Sequence, residues 1–124
     1  MAVAPKTALI IEDDVVYQEL YADVLRRSHW ASEVAADLKG AREFLARRRF
    51  DAYIIDLLLP GGSAGEVVQV VLAGDPAARA KSVIVSGLGS VARTVANGIT
   101  VVDKASMAEI ADFLARFSEG TLTE

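Results

Sequence analysis

The feature that most constrains this chain is an alternation. Short apolar, β-rich runs give way to longer stretches of helical period five times over, with no Pro-, Gly- or Ser-rich linker between them. The runs predict strands over 8–11, 33–36, 52–55, 83–85 and 100–102. The intervening pattern predicts helices over 15–27, 39–48, 65–73, a short one over 90–96, and 106–117. Three of the strand runs (ALII, YIID and VIVS) begin as continuous apolar segments, as parallel strands covered on both faces do. In the first helix Val16, Leu20 and Val24 recur at i, i+4 and i+8. In the last, Ser106 and Glu109 have the spacing of a capping box, and Ile110, Phe113, Leu114 and Phe117 form one stripe. Right-handed crossovers make such a chain a doubly wound parallel (βα)5 α/β fold, and ligands of that class sit beyond the carboxyl ends of the strands where strand order reverses. At 124 residues one domain is expected, spanning 1–124 with its core at about 7–117.

Composition narrows the ligands. Apolar residues are 52% of the chain, enough for a packed core, and 13 Lys and Arg against 17 Asp and Glu leave a charge of −4. That balance argues against a nucleic-acid backbone as partner, since there is no basic excess to displace counterions. The absence of cysteine removes disulfides, thiolate metal sites and thiol nucleophiles. No run approaches the ~20 apolar residues that span a bilayer, and the first residues do not read as a signal peptide. A soluble, cytoplasmic protein without membrane insertion is the expectation.

Chemistry gathers at the predicted strand ends. The first strand runs into Glu12, Asp13 and Asp14. Acids favour helix N-termini, so Asp14 is assigned to capping the first helix, but capping does not account for all three. The third strand closes on Asp56, followed by Leu57, Leu58, Leu59, Pro60 and Gly61. A carboxylate ending an apolar strand must face a polar site or lose its hydration without return. If strand order reverses between the first and third strands, Glu12, Asp13 and Asp56 converge, and their repulsion raises their pKa values unless a cation sits among them. Hard oxygen ligands suit Mg²⁺. The fourth strand ends at Ser86 and the fifth at Lys104, which puts a hydroxyl and an ammonium on the same rim. Taken singly these are a turn residue and a solvated lysine; with the acids they make an anion site.

The stretches LIIEDD, YIIDLLLPGGSAGE, VIVSG and VVDK, in this order, resemble the receiver domain of response regulators in two-component phosphorelays. The resemblance runs from about residue 7 to 117. It implies a flavodoxin-like sheet of order 2-1-3-4-5 and makes Asp56 the phosphoacceptor, with a sensor histidine kinase or histidine phosphotransfer protein as donor and an unidentified protein as downstream target. It further implies that Asp13 ligates Mg²⁺ directly, Glu12 mainly through water, and the backbone carbonyl of Leu58 completes the protein's share. Lys104 then pairs with the phosphoryl group and Ser86 swings toward it. Such a protein is not an enzyme in the usual sense, although it catalyses its own phosphorylation and dephosphorylation, whose rate Leu58 and Gly87 are expected to influence.

Three departures from the family bear on output rather than chemistry. Val101 stands where an aromatic switch residue is usual. Ala105 follows Lys104 where the family has a cis-proline, so a trans bond is expected, because cis costs a non-prolyl bond about 2.5–4 kcal/mol. The 17 residues between Ser86 and Lys104 include Gly87, Gly89 and Gly98 and leave room for two turns of fourth helix at most. Because the chain begins at Met1 and stops soon after the fifth predicted helix, a stand-alone regulator acting by protein contact is expected.

Other motifs yield to simpler readings. Gly87, Gly89 and Ala92 mimic a dinucleotide fingerprint but follow the fourth strand, with too little chain beyond. GGSAG lacks the Lys of a phosphate loop and reads as a turn into the third helix. His29 beside Trp30 has no triad partners, and Arg47, Arg48 and Arg49 read as a solvated helix end. Two rival functions remain: a receiver-like module that binds without phosphorylation, and a Mg²⁺-dependent phosphatase with Asp56 as nucleophile. Against the latter, Leu57, Leu58 and Leu59 stand where a second acid would be needed.

Overall fold

The computed structural model describes residues 5–104 and 107–123, with side chains as far as Ser118. Five strands, β1 (Thr7–Ile11), β2 (Ala31–Ala35), β3 (Ala52–Ile55), β4 (Ser82–Ser86) and β5 (Thr100–Asp103), form one parallel sheet in the order β2-β1-β3-β4-β5. The crossovers are α1 (Val15–Arg27), α2 (Leu38–Arg47), α3 (Ala64–Gly74) and α4 (Ser90–Val95), and α5 (Met107–Thr123) closes the fold. This is the flavodoxin-like topology. A short 3-10 helix, Ala78–Lys81, leads into β4 and carried no sequence signal.

Strand alternation sorts the core into two layers. Ala8, Ile10, Ile54, Val83 and Val85 face α1 and α5, where they meet Tyr21, Val24, Leu25, Ile110 and Leu114. Leu9, Ile11, Tyr53, Ile55 and Ile84 face the other way, against Leu38, Leu45, Val67, Val71 and Ala92 of α2, α3 and α4. The three continuously apolar runs are the central strands β1, β3 and β4, buried on both sides, while β2 and β5 are partly exposed edges.

Element bounds fall mostly within a residue of the periodicity, with three differences. β2 begins two residues before position 33, because the Ala31 amide bonds to the Lys6 carbonyl and pairing with β1 extends a weakly apolar edge strand. The stripe in α1 is displaced: Val16 is 57% exposed, and Tyr21, Val24 and Leu25 are the buried residues. α5 runs on to Thr123, beyond the last apolar residue of its stripe. The expected Ser106–Glu109 capping box and the Lys104–Ala105 bond both involve positions outside the described residues. A capping box does form at α3, where Ser63 accepts from the Glu66 amide and the Glu66 carboxylate accepts from the Ser63 amide. The GGSAG stretch makes the turn and enters this helix at Ala64, with Gly61 at φ 95°.

At the opposite rim from the strand ends, Arg48 lies over the Phe50 ring and bonds Thr7 Oγ1, and Arg49 donates to the Gly74 carbonyl. The arginine run is exposed yet engaged. Among the described residues no helix is long and apolar enough to cross a membrane.

Candidate functional site

The reversal of strand order decides which side chains meet. β1 has β2 on one side and β3 on the other, and Ile11 lies in register with Ile55. The next residues out are Glu12 and Asp56, and the ladder continues through them: the Asp56 amide donates to the Ile11 carbonyl and the Glu12 amide to that of Ala35. Glu12, Asp13 and Asp56 each offer a carboxylate oxygen, all within 4.8 Å of one another. Glu12 and Asp56 are buried and Asp13 is exposed, so the cluster opens to solvent on one side.

Glu12 and Asp56 are held by the backbone where the chain turns into a helix or loop. Glu12 accepts from the Asp14 amide at 3.1 Å, and Asp14 caps α1 by accepting from the Val16 amide at 2.8 Å, the role expected of it. Gln18, one turn into α1, donates to the Glu12 carbonyl at 2.7 Å. Asp56 Oδ1 accepts from the Leu58 amide at 3.0 Å, a two-residue turn that fixes the carboxylate as it leaves β3. The Leu58 side chain itself is exposed.

Lys104 supplies the cation. Its amide donates to the Ser86 carbonyl, which continues the β4–β5 pairing one residue past the strand and aims the side chain back across the sheet. Nζ lies 2.7 Å from Glu12 Oε1 and 3.3 Å from Asp56 Oδ2. Burial pushes the Glu12 carboxyl up to about 7; the Lys104 hydrogen bond works against this and the neighbouring Asp56 adds to it. Burial would lower the Lys104 ammonium, but its bonds and charges toward Glu12 and Asp56 outweigh that and hold it above its usual value.

Ser86 is buried at the end of β4 and accepts from the Leu88 amide at 3.0 Å. It shares with Gly87, Gly89, Asp103 and Lys104 an open cleft of about 330 Å³ beside the acids. The structure thus brings Glu12, Asp13, Asp56 and Lys104 into one cluster and places Ser86 on the cleft that Lys104 borders, with its hydroxyl turned to its own loop. Sequence reasoning missed Tyr17, whose ring centre lies 4.0 Å from Lys104 Nζ. Its only signal was its place one turn into α1. His29 is exposed, at φ 65° after α1, and takes no part.

The arrangement is a hard-oxygen cage with a fixed ammonium on its rim. Two buried carboxylates and an exposed third fit a small divalent cation that keeps part of its water shell.

No protein-family profile matches the chain. The response regulator PilR of Pseudomonas aeruginosa is 39% identical over 64 residues, which are 52% of this chain and 14% of that protein. Among solved structures, a CheY-like response-regulator receiver domain from Methanospirillum hungatei superposes with a TM-score of 0.77 at 17% identity, covering 97% of this chain and 98% of that one. A two-component response regulator of the LuxR family from Aurantimonas is 26% identical, with a TM-score of 0.74 and coverage of 94% and 87%. The chain has the fold of CheY-like response-regulator receiver domains, and about half of it is similar in sequence to a response regulator. A third structure, the receiver domain of the Pseudomonas aeruginosa sensor kinase PA1611, holds a magnesium ion in its cleft and superposes at a TM-score of 0.72, with 22% identity and coverage of 93% and 98%. In this chain Glu12 and Asp13, Asp56, Ser86 and Lys104 stand at the ends of β1, β3, β4 and β5, while Val101 is half-buried in β5 and α4 is 6 residues long.

Proposed function

We propose that this receiver, with a core of about residues 7–117, accepts a phosphoryl group on Asp56 from the phosphohistidine of a sensor histidine kinase or a histidine phosphotransfer protein, in a Mg²⁺-dependent reaction, and signals by protein contact in the cytoplasm. The observation that carries the reading is the meeting of Asp56, two further carboxylates and the Lys104 ammonium at the strand-order reversal. Asp56 Oδ1 is tied to the Leu58 amide, which leaves the Oδ2 edge, now against Lys104, as the attacking oxygen. In the transfer an Asp56 oxygen forms a bond to phosphorus as the phosphorus–nitrogen bond breaks, and the electron pair leaves with the imidazole. Lys104 turns from Asp56 to an oxygen of the transferred group and offsets its charge. Ser86 gives up its bond to the Leu88 amide and donates to another. Glu12, Asp13, Asp56 and the Leu58 carbonyl would hold Mg²⁺, which supplies charge neutralisation at the phosphoryl oxygens. Water later cleaves the acyl phosphate, returning the carboxylate and inorganic phosphate.

Incubation with Mg²⁺ and a small acyl or amido phosphate tests this by mass spectrometry. A gain of one phosphoryl group on Asp56, absent in Asp56→Asn and abolished by chelation, is expected. No gain at any donor concentration would replace the reading by a phosphorylation-independent interaction module, and sustained multiple turnover by a phosphatase.

A further inference from the structure

The Lys104 side chain is a flexible stem that must reach from β5, at one edge of the sheet, to carboxylates at the ends of β1 and β3. Its ammonium has three donors, and two point at Glu12 and Asp56. What confines it on a further side is an aromatic face: Nζ stands 4.0 Å from the centre of the Tyr17 ring, within the range at which the ring quadrupole attracts a cation. That ring is itself braced. Tyr21, one turn on and almost wholly buried, lies 6.0 Å from it centre to centre at an interplanar angle of 43°. The intervening Gln18 ties the same turn of α1 to the Glu12 carbonyl. The helix that follows the acids therefore carries a wall against which the lysine rests.

We propose that Tyr17 is a positioning residue for phosphoryl transfer: its ring face holds the Lys104 ammonium beside Glu12 and Asp56 and fixes the arc through which it turns to the incoming phosphoryl group. This deepens the phosphoacceptor reading and rests on it for the rate effect, though not for the contact itself. Its contact with the site is the one to the ammonium, so Tyr17 acts through Lys104. Ordering a long flexible side chain before the reaction removes that cost from the transition state. A leucine at this position keeps apolar bulk but has no quadrupole; a phenylalanine keeps the face and lacks only the hydroxyl.

Two readouts on the full chain test it. The first needs no phosphorylation: with Nζ over the ring, the adjoining ε-methylene protons of Lys104 are expected to be shifted upfield by its current in wild type and Y17F, and the shift to be lost in Y17L. The second is the phosphorylation rate with a small acyl phosphate at saturating Mg²⁺. Y17L is expected to slow it by about 2- to 30-fold, the range of cation–π attraction expressed as a rate, with Mg²⁺ affinity unchanged, while Y17F restores it. In a Lys104→Met background Y17L should have no further effect. An unshifted Lys104 in wild type, a Y17L rate equal to wild type, a Y17F defect as large as that of Y17L, or an equal slowing in the Lys104→Met background would each overturn the proposal. If wild type takes up no phosphoryl group, the phosphoacceptor reading fails and takes the rate effect with it, whereas the proton shift still decides whether Tyr17 holds Lys104.

Discussion

Glu12 shows how a single residue couples charge to stability in this site. It is fully buried, its nearest cation is Lys104 at 2.7 Å, and its carboxyl titrates near pH 7. An acid whose folded pKa lies above its unfolded value contributes stability that is complete below the unfolded pKa and is lost as pH rises through the folded one. Replacing Lys104 by Met removes the ammonium that offsets this loss. With Glu12 ionised, the variant should be less stable by about 3 kcal/mol, the usual cost of orphaning a buried charge. Below pH 5 Glu12 takes up a proton and the cost shrinks. Urea denaturation without metal at pH 5 and pH 8 measures this, and the gap between wild type and Lys104→Met should widen with pH. A gap of the same size at both would mean that Lys104 does not compensate Glu12.

Among the elements, α3 and α4 are opposites. α3 has 11 residues, a reciprocal capping box and Val67, Val68 and Val71 buried. α4 has 6 residues, starts from Gly89 at φ 59° with no side-chain cap, and buries only Ala92. A helix of fewer than two turns with its first amides uncapped is held by little besides its ends. Its amides, from Ala92 to Val95, should therefore exchange with solvent deuterium through local opening, well before those of Val68 to Val71 in α3, which open with the core. Amide exchange followed by NMR or mass spectrometry decides it; equal protection of the two helices would show that α4 is as firmly held as the rest. Beside it, the half-buried Val101 of β5 carries no ring, and Gly87 and Gly89 before α4 have open space where a side chain would stand.

At the scale of the molecule, the two rims of the sheet are stabilised by different chemistry. The rim bearing the acids gathers like charges. The opposite rim closes a buried network in which Asp75, at the end of α3, accepts from the Tyr53 hydroxyl at 2.7 Å and pairs with Lys81 at 2.8 Å, while Lys81 also donates to the Phe50 carbonyl. Burial pushes the Asp75 carboxyl up, but Lys81, Tyr53 and the Ala77 amide together outweigh it and hold it below its usual value. Burial, reinforced by Asp75, pushes the Tyr53 hydroxyl upward, so it stays a donor. For a carboxyl depressed in this way, the stability is present above the unfolded pKa near 3.8 and disappears as pH falls through the folded one. Global stability should therefore drop below about pH 4 in wild type. Asp75→Asn should cost about 2 kcal/mol at neutral pH and flatten that acid limb. Denaturation midpoints between pH 2 and pH 7 test both; an acid limb as steep in the variant would place the sensitivity elsewhere.

Periodicity predicted the five alternations and the two-sided burial of the central strands, and the preference of acids for helix N-termini predicted the capping of α1 by Asp14, because these depend on neighbours along the chain. Capping chemistry is equally local at Ser63 and Glu66, whose three-residue spacing is that of a capping box. The exposed Val16 in α1 shows the limit: which stripe of a helix is buried depends on where it lands on the sheet, and that is set by the crossover. Positions 12, 13, 56, 86 and 104 were legible as chemistry at strand ends. That Glu12 and Asp56 lie side by side, that Lys104 reaches both, and that Ser86 is turned to its own loop were decided by the order of the strands and by contacts spanning up to 92 residues. Tyr17 belongs to the same class: an aromatic residue in a helix is ordinary in sequence, and only the folded chain brings the Lys104 ammonium onto its face.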